Sequence, residues 1–395
     1  MPGRSFVLAL ALTALITPLS VHLFLPVIPA VKAAFHLDDA WAQLMFSVSL
    51  FGMAFATLVY GSLSDRYGRR PVLLSGIALF LIGSVASALA QTATMLVLAR
   101  LVQAIGAGCG MTLTRTIARD AYRPEHLIKA IAYLTMFYTI GPMVSPLIGG
   151  LLVDTFGWRS VFGFAVAVGC VIAIMVYGSI HETRPVEVAA APKTGIATDY
   201  AALFSRLRFT AFVLQSGLIT GMFMTIASAS ASLMQELLHR PAAEFGLYFL
   251  LFPAGFLAGN FISTRVGNRA RAETMVLIGS ALALAAVVTQ AAVLSWAQAA
   301  PLMFFLPGTF VTMAQGLSLP YAQVGAMAEI PRLAGTASGI GVFMQHFGAA
   351  FFAQLYGLFA DGTPRPMIGI AVLVGILCLI VGALPLLRTR PSTPP

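Results

Sequence analysis

Apolar residues occur along the chain in runs of about twenty, and short polar segments separate these runs. Two examples are VLLSGIALFLIGSVASALA at residues 72–90 and MIGIAVLVGILCLIVGALPLL at residues 367–387. A helix needs roughly 20 apolar residues to cross about 30 Å of hydrocarbon. The pattern therefore predicts an all-α polytopic membrane protein with about twelve spans, at residues 6–30, 42–60, 72–90, 94–116, 127–152, 160–180, 209–231, 243–263, 273–293, 301–324, 335–359 and 366–387.

The longest polar stretch lies between the sixth and seventh spans, at residues 181–208, and its mixture of Pro, Ala, Glu and Lys is typical of a linker. We expect one six-helix bundle at 1–180, a cytoplasmic linker at 181–208, and a second bundle with a short cytoplasmic tail at 209–395. The pattern R-x-G-x-R follows the second span at 66–70 and the eighth at 265–269. Parallel repeats of six spans are typical of two-bundle transporters.

Charge is scarce and unevenly placed. Only 9% of the residues are charged, and the net charge is +9, whereas a water-soluble domain carries roughly 25% charged residues. With a cytoplasmic N-terminus, eighteen of the 23 Lys and Arg residues fall in cytoplasmic segments and four in outer segments. This bias predicts that both termini are cytoplasmic. The bias also explains the net positive charge of the chain as a topology signal, so we expect no nucleic-acid partner.

Enzyme chemistry and bound metals are not indicated. The three cysteines fall inside spans without C-x-x-C spacing, and the six histidines are scattered. A Walker loop, G-x-S-x-G and H-E-x-x-H are all absent from the sequence. We therefore expect no enzyme activity, no cofactor and no metal site.

Polar side chains inside the spans are candidates for a transport path. Such groups are costly in hydrocarbon, so they face the bundle interior or a watery cavity. Spans three, six and twelve lack charged residues, Asn and Gln and should face lipid, whereas spans one, four, seven, ten and part of eleven should line the path. Joining helices to one another is the alternative role for these groups. The candidates for the substrate and proton path are His22, Arg100, Gln103, Gln215, Gln315 and His346.

The fifth span contains IGPMVSPLIGG at residues 140–150. Gly141, Ser145 and Gly149 recur every four residues and form a stripe of small residues, which lets a neighbouring backbone approach closely. Pro142 and Pro146 each remove a backbone donor and bend the helix. A bent helix with a smooth face suits two bundles that rock against each other. A static kink is the alternative interpretation of the same sequence.

Several motifs carry a family resemblance. The loop GSLSDRYGRR at 61–70 resembles the signature loop of the major facilitator superfamily, and RLVQAIG at 100–106 resembles its fourth-span motif. The fifth span resembles the antiporter motif. FLP at 24–26 with Pro29, RTIARDAY at 115–122 and AGTAS at 334–338 are similar to motifs of the bicyclomycin/chloramphenicol-resistance subfamily of drug:proton antiporters. The residues that match the antiporter motif are Gly141, Pro142, Pro146, Gly149 and Gly150.

The resemblance implies a monomeric, proton-coupled multidrug efflux transporter of the major facilitator fold in the bacterial inner membrane, linked to antibiotic resistance. It implies that Asp65 lies near the N-terminus of span eleven, at Gly335–Thr336, and latches the halves together. Arg115 and Asp120, near the inner face, are the second candidate for proton coupling, and an inner-side ion pair is the alternative role for them. The residues assigned to the cytoplasmic latch loop are Gly61, Asp65, Arg66, Gly68, Arg69 and Arg70, and Pro71 is expected to start the third helix.

One departure from the subfamily affects the predicted mechanism. The subfamily usually has an Asp in the first span, in T-D-M-Y-L-P, but this chain has His22 there, and none of its 14 acids lies near a span centre. We hypothesise that His22 titrates while it faces Arg100, since histidine changes charge near neutral pH. A neutral, hydrogen-bonded histidine that couples nothing is the alternative.

The expected function is export of small amphipathic or aromatic compounds in exchange for protons. A cavity with Arg100 and His22 but no acid repels cations, so neutral or weakly anionic substrates are expected. The missing carboxylate favours an alternative, namely an exporter or facilitator of one metabolite, such as an amino-acid-like solute, without the usual proton coupling.

Overall fold

The computed structural model describes residues 4–122, 124–184, 196–296 and 300–388. Part of the predicted linker, at 185–195, lies outside the described residues. The described residues form twelve long helices and no strand, which confirms the all-α prediction. The long helices are α1 (Arg4–Phe35), α2 (Asp39–Tyr67), α3 (Arg69–Ala88), α4 (Ala93–Ala121), α5 (Pro124–Phe156), α6 (Arg159–Ser179), α7 (Leu207–Leu237), α8 (Ala242–Val266), α9 (Ala272–Trp296), α10 (Pro301–Ala328), α11 (Ala334–Phe359) and α12 (Arg365–Ala383).

Eleven of these helices are long and apolar enough to cross a membrane, as judged on the described residues. The remaining one, α11, has 26 residues but carries Gln345, His346 and Gln354 among many glycines, which lowers its hydropathy. A short helix, Ile196–Phe204, precedes α7. Every predicted span overlaps one of the long helices.

Contacts divide the chain into two units. The first unit comprises Met1–Pro192 together with Ser230–Leu250 and Gly357–Gly362. The second comprises Lys193–Ala229, Leu251–Tyr356 and Thr363–Pro395. This division differs from the predicted boundaries, because the junction of α7 and α8 and the turn before α12 belong with the first six helices.

Helix α1 is interrupted rather than continuous. Its pieces are Arg4–Ala14, Ile16–His22, a 3₁₀ turn at Leu25–Val27, and Ile28–Phe35. Pro26 lacks a backbone N–H and therefore cannot continue an α-helical ladder. At this break Gln235 Nε2 donates to the Pro26 carbonyl at 3.2 Å. His22 thus ends a helical piece at the break.

Glycines let helices pack backbone to backbone in both units. In the first unit Gly83 and Gly106 join α3 to α4, because a Cβ at either position would overlap backbone atoms of the other helix. In the second unit Gly316 of α10 lies in the same way against the backbone of α8, and Gly217 of α7 against Gly348 of α11. Small residues are typical of such contacts in membrane helices.

The variant Gly106→Ala tests the α3–α4 contact. The added methyl group has to displace the backbone at Phe80 and Gly76, and overpacking of this kind costs about 1–3 kcal/mol. We expect a lower melting temperature for the purified protein. The matched control is Gly163→Ala in α6, where a Cβ has open space, and it should melt at or slightly above the wild-type temperature. Equal melting temperatures for the two variants would contradict this packing.

Candidate functional site

A buried guanidinium organises the turn between α2 and α3. Arg69 is only 1% exposed and donates through Nη1 to Ser64 Oγ at 2.6 Å and to Asp65 Oδ1 at 2.5 Å. Its Nε donates to Asp120 Oδ2, at the end of α4, at 2.9 Å. Charge-assisted hydrogen bonds of this kind are about twice as strong as neutral ones. Arg69 therefore ties the start of α3 to the end of α4.

The predicted ion pair of Arg115 with Asp120 is wrong. Asp120 pairs with Arg69 and, at 3.8 Å, with Arg119. Arg115 and Asp120 are five residues apart on one helix, which places them about 140° apart around its axis. A residue from another helix can approach the carboxylate where Arg115 cannot.

Glu182 caps the start of α3 from the end of α6. Its Oε1 accepts the backbone N–H of Arg69 at 2.8 Å, and its Oε2 accepts that of Arg70 at 3.2 Å. Gly68 has a positive φ of 100°, and a Cβ there would lie 2.6 Å from the Glu182 carboxylate. Glycine is therefore required at position 68 both for its conformation and for space.

The backbone donors also act on the charge of Glu182. Partial burial favours a higher pKa for this carboxyl, but hydrogen bonds from the backbone N–H groups of Arg184, Arg69, Arg70 and Thr183 together hold its pKa below the ordinary value. Glu182 thus stays ionised at neutral pH and satisfies the free N–H groups of the first turn of α3.

Sequence reasoning missed Glu182, because it lies in the stretch that we interpreted as linker. The available signal is that an acid directly follows an apolar span.

Helix α3 begins at Arg69, so Pro71 occupies its third position rather than its first. The other arginines of the loop are held as well: Arg70 Nη2 donates to the Tyr177 carbonyl at 2.9 Å, and Arg184 Nη1 to the Arg66 carbonyl at 2.8 Å.

Arg100 and Gln103 project into the interior of the first unit. Arg100 Nη1 donates to the Ser20 carbonyl at 3.0 Å and to Gln103 Oε1 at 2.6 Å. Gln103 Nε2 then donates to Ser84 Oγ at 2.8 Å. The guanidinium also lies over the ring of Phe24, 4.2 Å from its centroid. Arg100 therefore binds α1 two residues before His22.

His22 is buried at the break in α1, with its ring centroid 5.8 Å from that of Phe249 in α8. The side chain of Arg100, from α4, thus contacts α1 close to His22. That the two side chains face each other remains a prediction.

The path candidates of the second unit bond mainly to neighbouring helices. Gln215 is fully buried, and its Nε2 donates to Ser318 Oγ of α10 at 3.2 Å and to Ser280 Oγ of α9 at 3.4 Å. Gln315 Nε2 donates to Thr220 Oγ1 of α7 at 3.0 Å. The ring Nδ1 of His346 lies 3.0 Å from the Val342 carbonyl on its own helix. For Gln215 the alternative role, that of joining helices, fits these contacts better.

The small-residue stripe of α5 lies against the broken part of α1. A Cβ at Gly141 would overlap Pro18, and one at Gly149 would lie 2.5 Å from the Leu23 carbonyl oxygen. Gly150 approaches the Ala242 carbonyl in the same way, at the start of α8. The Ser145 hydroxyl donates to the Gly141 carbonyl at 2.6 Å, and both Pro142 and Pro146 lie inside the helix.

Charged residues also meet at the opposite end of the first unit from the 61–71 loop. The Asp154 carboxylate accepts the backbone N–H groups of Ala242 and Ala243, at 3.2 Å and 2.8 Å. Lys32 pairs with Asp39 at 2.6 Å and with Glu236 at 2.7 Å. The predictions did not include these contacts, because the partners are distant in sequence.

Long apolar helices in two units, with polar side chains buried among them and a charged loop at one end, define a multi-pass membrane protein. Residues 10–353 match the Major Facilitator Superfamily, and the chain belongs to this family. It is a membrane transporter of small-molecule substrates and not an enzyme.

Similar proteins include multidrug transporters. Multidrug resistance protein D of Escherichia coli (strain K12) is 26% identical over 402 residues, which cover 98% of this chain and 97% of that protein. Multidrug resistance protein MdtL of Escherichia coli O139:H28 is 27% identical over 380 residues, which cover 96% of this chain and 94% of that protein.

Solved structures show the same fold. A bacterial homolog of the human lysosomal transporter Spinster has a TM-score of 0.78 at 17% identity, with 98% of each chain covered. A D-xylose-proton symporter has a TM-score of 0.76 at 16% identity, with 96% of each chain covered. At these identities the likeness concerns the fold alone.

The variants Asp120→Asn and Asp65→Asn compare the two carboxylates that bind Arg69. Asp120 is 6% exposed and Asp65 is 48% exposed. Removing one partner of a buried ion pair costs about 3–5 kcal/mol, whereas an exposed pair contributes about 0–1 kcal/mol. We expect Asp120→Asn to lower the melting temperature and the yield of monodisperse protein far more than Asp65→Asn. Equal losses in the two variants would contradict the dominant role of the Arg69–Asp120 pair.

Proposed function

We propose that this transporter exports small amphipathic or aromatic compounds, neutral or weakly anionic, by alternating access and in exchange for protons. The similarity to two multidrug resistance proteins over nearly the full chain supports export of drug-like compounds. The observation that carries the coupling part of the proposal is the position of His22 at the break in α1.

His22 lies between two of the points where α5 touches α1. Gly141 of α5 packs on Pro18, four residues before His22, and Gly149 packs on the Leu23 carbonyl, one residue after it. The ring of Phe249 from α8 covers the histidine. His22 is 7% exposed, so a change in its charge would act directly on these closely packed contacts. Protonation of His22 is therefore suited to shifting α1 relative to α5 and α8.

The distribution of carboxylates supports the exclusion of cations. The acids of the described ion pairs are bound to Lys32, Arg69, Arg119, Arg208 and Arg240. Arg100 has no carboxylate within ion-pair distance among the described residues. A path beside an unneutralised guanidinium favours neutral or weakly anionic compounds.

A ladder of aromatic rings on α11 supports aromatic substrates. Phe343, Phe347 and Phe351 recur every four residues, with successive ring centroids 5.6 Å and 6.4 Å apart and interplanar angles of 23° and 11°. Phe351 is about half exposed. Partly exposed rings of this kind offer stacking surfaces to a planar aromatic compound.

The alternative is an exporter or facilitator of one metabolite, such as an amino-acid-like solute, without the usual proton coupling. The observation that favours it is histidine, rather than a carboxylate, at position 22.

A susceptibility screen separates the two functions. We expect an efflux-deficient bacterial strain that expresses this chain to resist several unrelated neutral or weakly acidic aromatic compounds, and to remain sensitive to quaternary ammonium compounds. The cations should be excluded because Arg100 repels them. The control is the same strain without this chain, which should stay sensitive to the whole panel. Resistance to none of the panel would support the metabolite alternative.

The variant His22→Gln tests proton coupling. Glutamine keeps a polar side chain but cannot titrate, so substrate-induced proton movement in proteoliposomes should fall to background while substrate exchange persists. The matched control is His181→Gln, which removes an exposed histidine at the end of α6 and should retain wild-type proton movement. Full proton movement in His22→Gln would remove His22 from the coupling mechanism.

A further inference from the structure

The end of α7 and the start of α8 belong to a different unit from the rest of these two helices. Residues Ser230–Leu250 group with the first six helices, whereas 207–229 and 251–266 belong to the second unit. The segment consists of two helical arms joined by a turn at 238–241, and we call it the lid hairpin. Each helix thus crosses from one unit to the other within its length, and bending at the crossings would leave the packing of the second unit intact.

Both crossings lie at or close to breaks in regular helix structure. Helix α8 stops at Phe249 and resumes at Leu251, because Pro253 has no N–H to donate to the Phe249 carbonyl and its ring displaces that carbonyl. The end of α7, Leu233–Leu237, is a π turn, and single π turns within helices occur often at functional sites. The lid hairpin therefore has a weak point near the base of each arm.

Polar contacts clamp the lid hairpin to α1 and α5. Lys32 Nζ of α1 pairs with Glu236 Oε2 at 2.7 Å, and the two side chains are 22% and 35% exposed. The Asp154 carboxylate of α5 caps the start of α8, where it accepts the backbone N–H groups of Ala242 and Ala243. Asp154 is exposed as well. Because water can replace the partners of exposed charged groups, this clamp opens at a low cost in free energy.

Apolar packing beneath the clamp acts in the opposite direction and favours the closed position. Glycines bring α5 and the start of α8 together, because a Cβ at Gly150 or at Gly246 would overlap backbone atoms of the other helix. Phe245 and Phe249 of the lid hairpin are fully buried, and exposing an apolar side chain to water costs free energy. The open position is therefore a minor state, whose population depends on the strength of the clamp.

We propose that the lid hairpin is a gate over the end of the first unit that carries Lys32 and Asp154. It opens by bending at its two breaks, while the rest of α7 and α8 keeps its packing in the second unit. Opening moves Phe249 away from His22, whose ring centroid lies 5.8 Å from that of Phe249 in the closed position. The lid hairpin thereby controls when water from this end reaches His22. Its control over proton supply rests on the proposed proton coupling, whereas the bending itself does not.

Hydrogen–deuterium exchange of the purified full chain tests whether the lid hairpin opens as one unit. The variant Asp154→Ala removes the cap of α8, and the loss of a helix cap corresponds to about a fivefold change in an opening equilibrium. We expect about fivefold faster exchange at the amides of both arms, at Leu233 of α7 as well as at Phe245 and Phe249 of α8. Faster exchange confined to the first turn of α8 would show local fraying and would overturn the lid.

The matched control is Asp38→Ala. Asp38 lies at the same end of the first unit, next to Asp39, which pairs with Lys32. It caps its own helix, α2, by accepting the backbone N–H of Trp41 at 2.8 Å. In this variant exchange should accelerate in the first turn of α2 and stay at the wild-type rate in the lid hairpin. Equal acceleration of the lid hairpin in both variants would show general loosening of this end and would overturn the clamp.

Modification by diethyl pyrocarbonate, which reacts with neutral imidazole, tests the consequence for His22. His22 is 7% exposed, so its modification, followed by mass spectrometry, should be slow in the wild type and about fivefold faster in Asp154→Ala. His181, which is exposed at the end of α6, should react at the same rate in both proteins.

The variant Pro253→Ala, added to Asp154→Ala, tests the break in α8. Alanine restores the backbone donor and stiffens α8, so the rate at His22 should return towards the wild-type value. Persisting acceleration in the double variant would overturn the hinge, and an unchanged rate at His22 in Asp154→Ala would overturn control of His22 by the lid hairpin. Neither measurement involves transport, so failure of the lid is distinguishable from failure of the proposed function, which the His22→Gln experiment tests.

Discussion

Hydrocarbon offers no hydrogen-bond partner, so polar side chains buried in membrane helices depend on groups from the same or neighbouring helices. Arg69 illustrates the satisfied case, with two carboxylates and a hydroxyl around its guanidinium. Arg100 illustrates a partly satisfied case, with carbonyl and amide oxygens on one side and aromatic rings on its face. These partners come from several helices, and they determine where α1 to α4 touch one another.

The two units meet this constraint in similar ways. In the first unit an amide of α4 bonds a serine of α3, as Gln103 does with Ser84. In the second unit Gln215 of α7 bonds Ser280 of α9 and Ser318 of α10. In both units glycines then bring helix backbones together. Shared packing chemistry in the two units agrees with the repeat architecture of two-bundle transporters.

The features that we predict to act in transport lie where regular helix structure is interrupted. Helix α1 is broken next to His22, α5 contains two prolines and touches α1 through glycines, and the turn at Gly68 is closed by Glu182. Breaks and turns expose backbone groups that need new partners, and partners of this kind can be exchanged between conformations at modest cost.

The sequence by itself determined the twelve helices, their approximate bounds and the family, because hydrophobic runs and short motifs are local properties of the chain. It also indicated the polar residues at His22, Arg100 and Gln103. The tertiary structure decided which residues meet: Asp120 binds Arg69 rather than Arg115, Glu182 caps α3, and the junction of α7 and α8 packs with the first unit. Such pairings join residues more than 50 positions apart, and no local pattern of hydropathy or spacing encodes which of many equivalent polar groups will lie within hydrogen-bond distance once the helices pack.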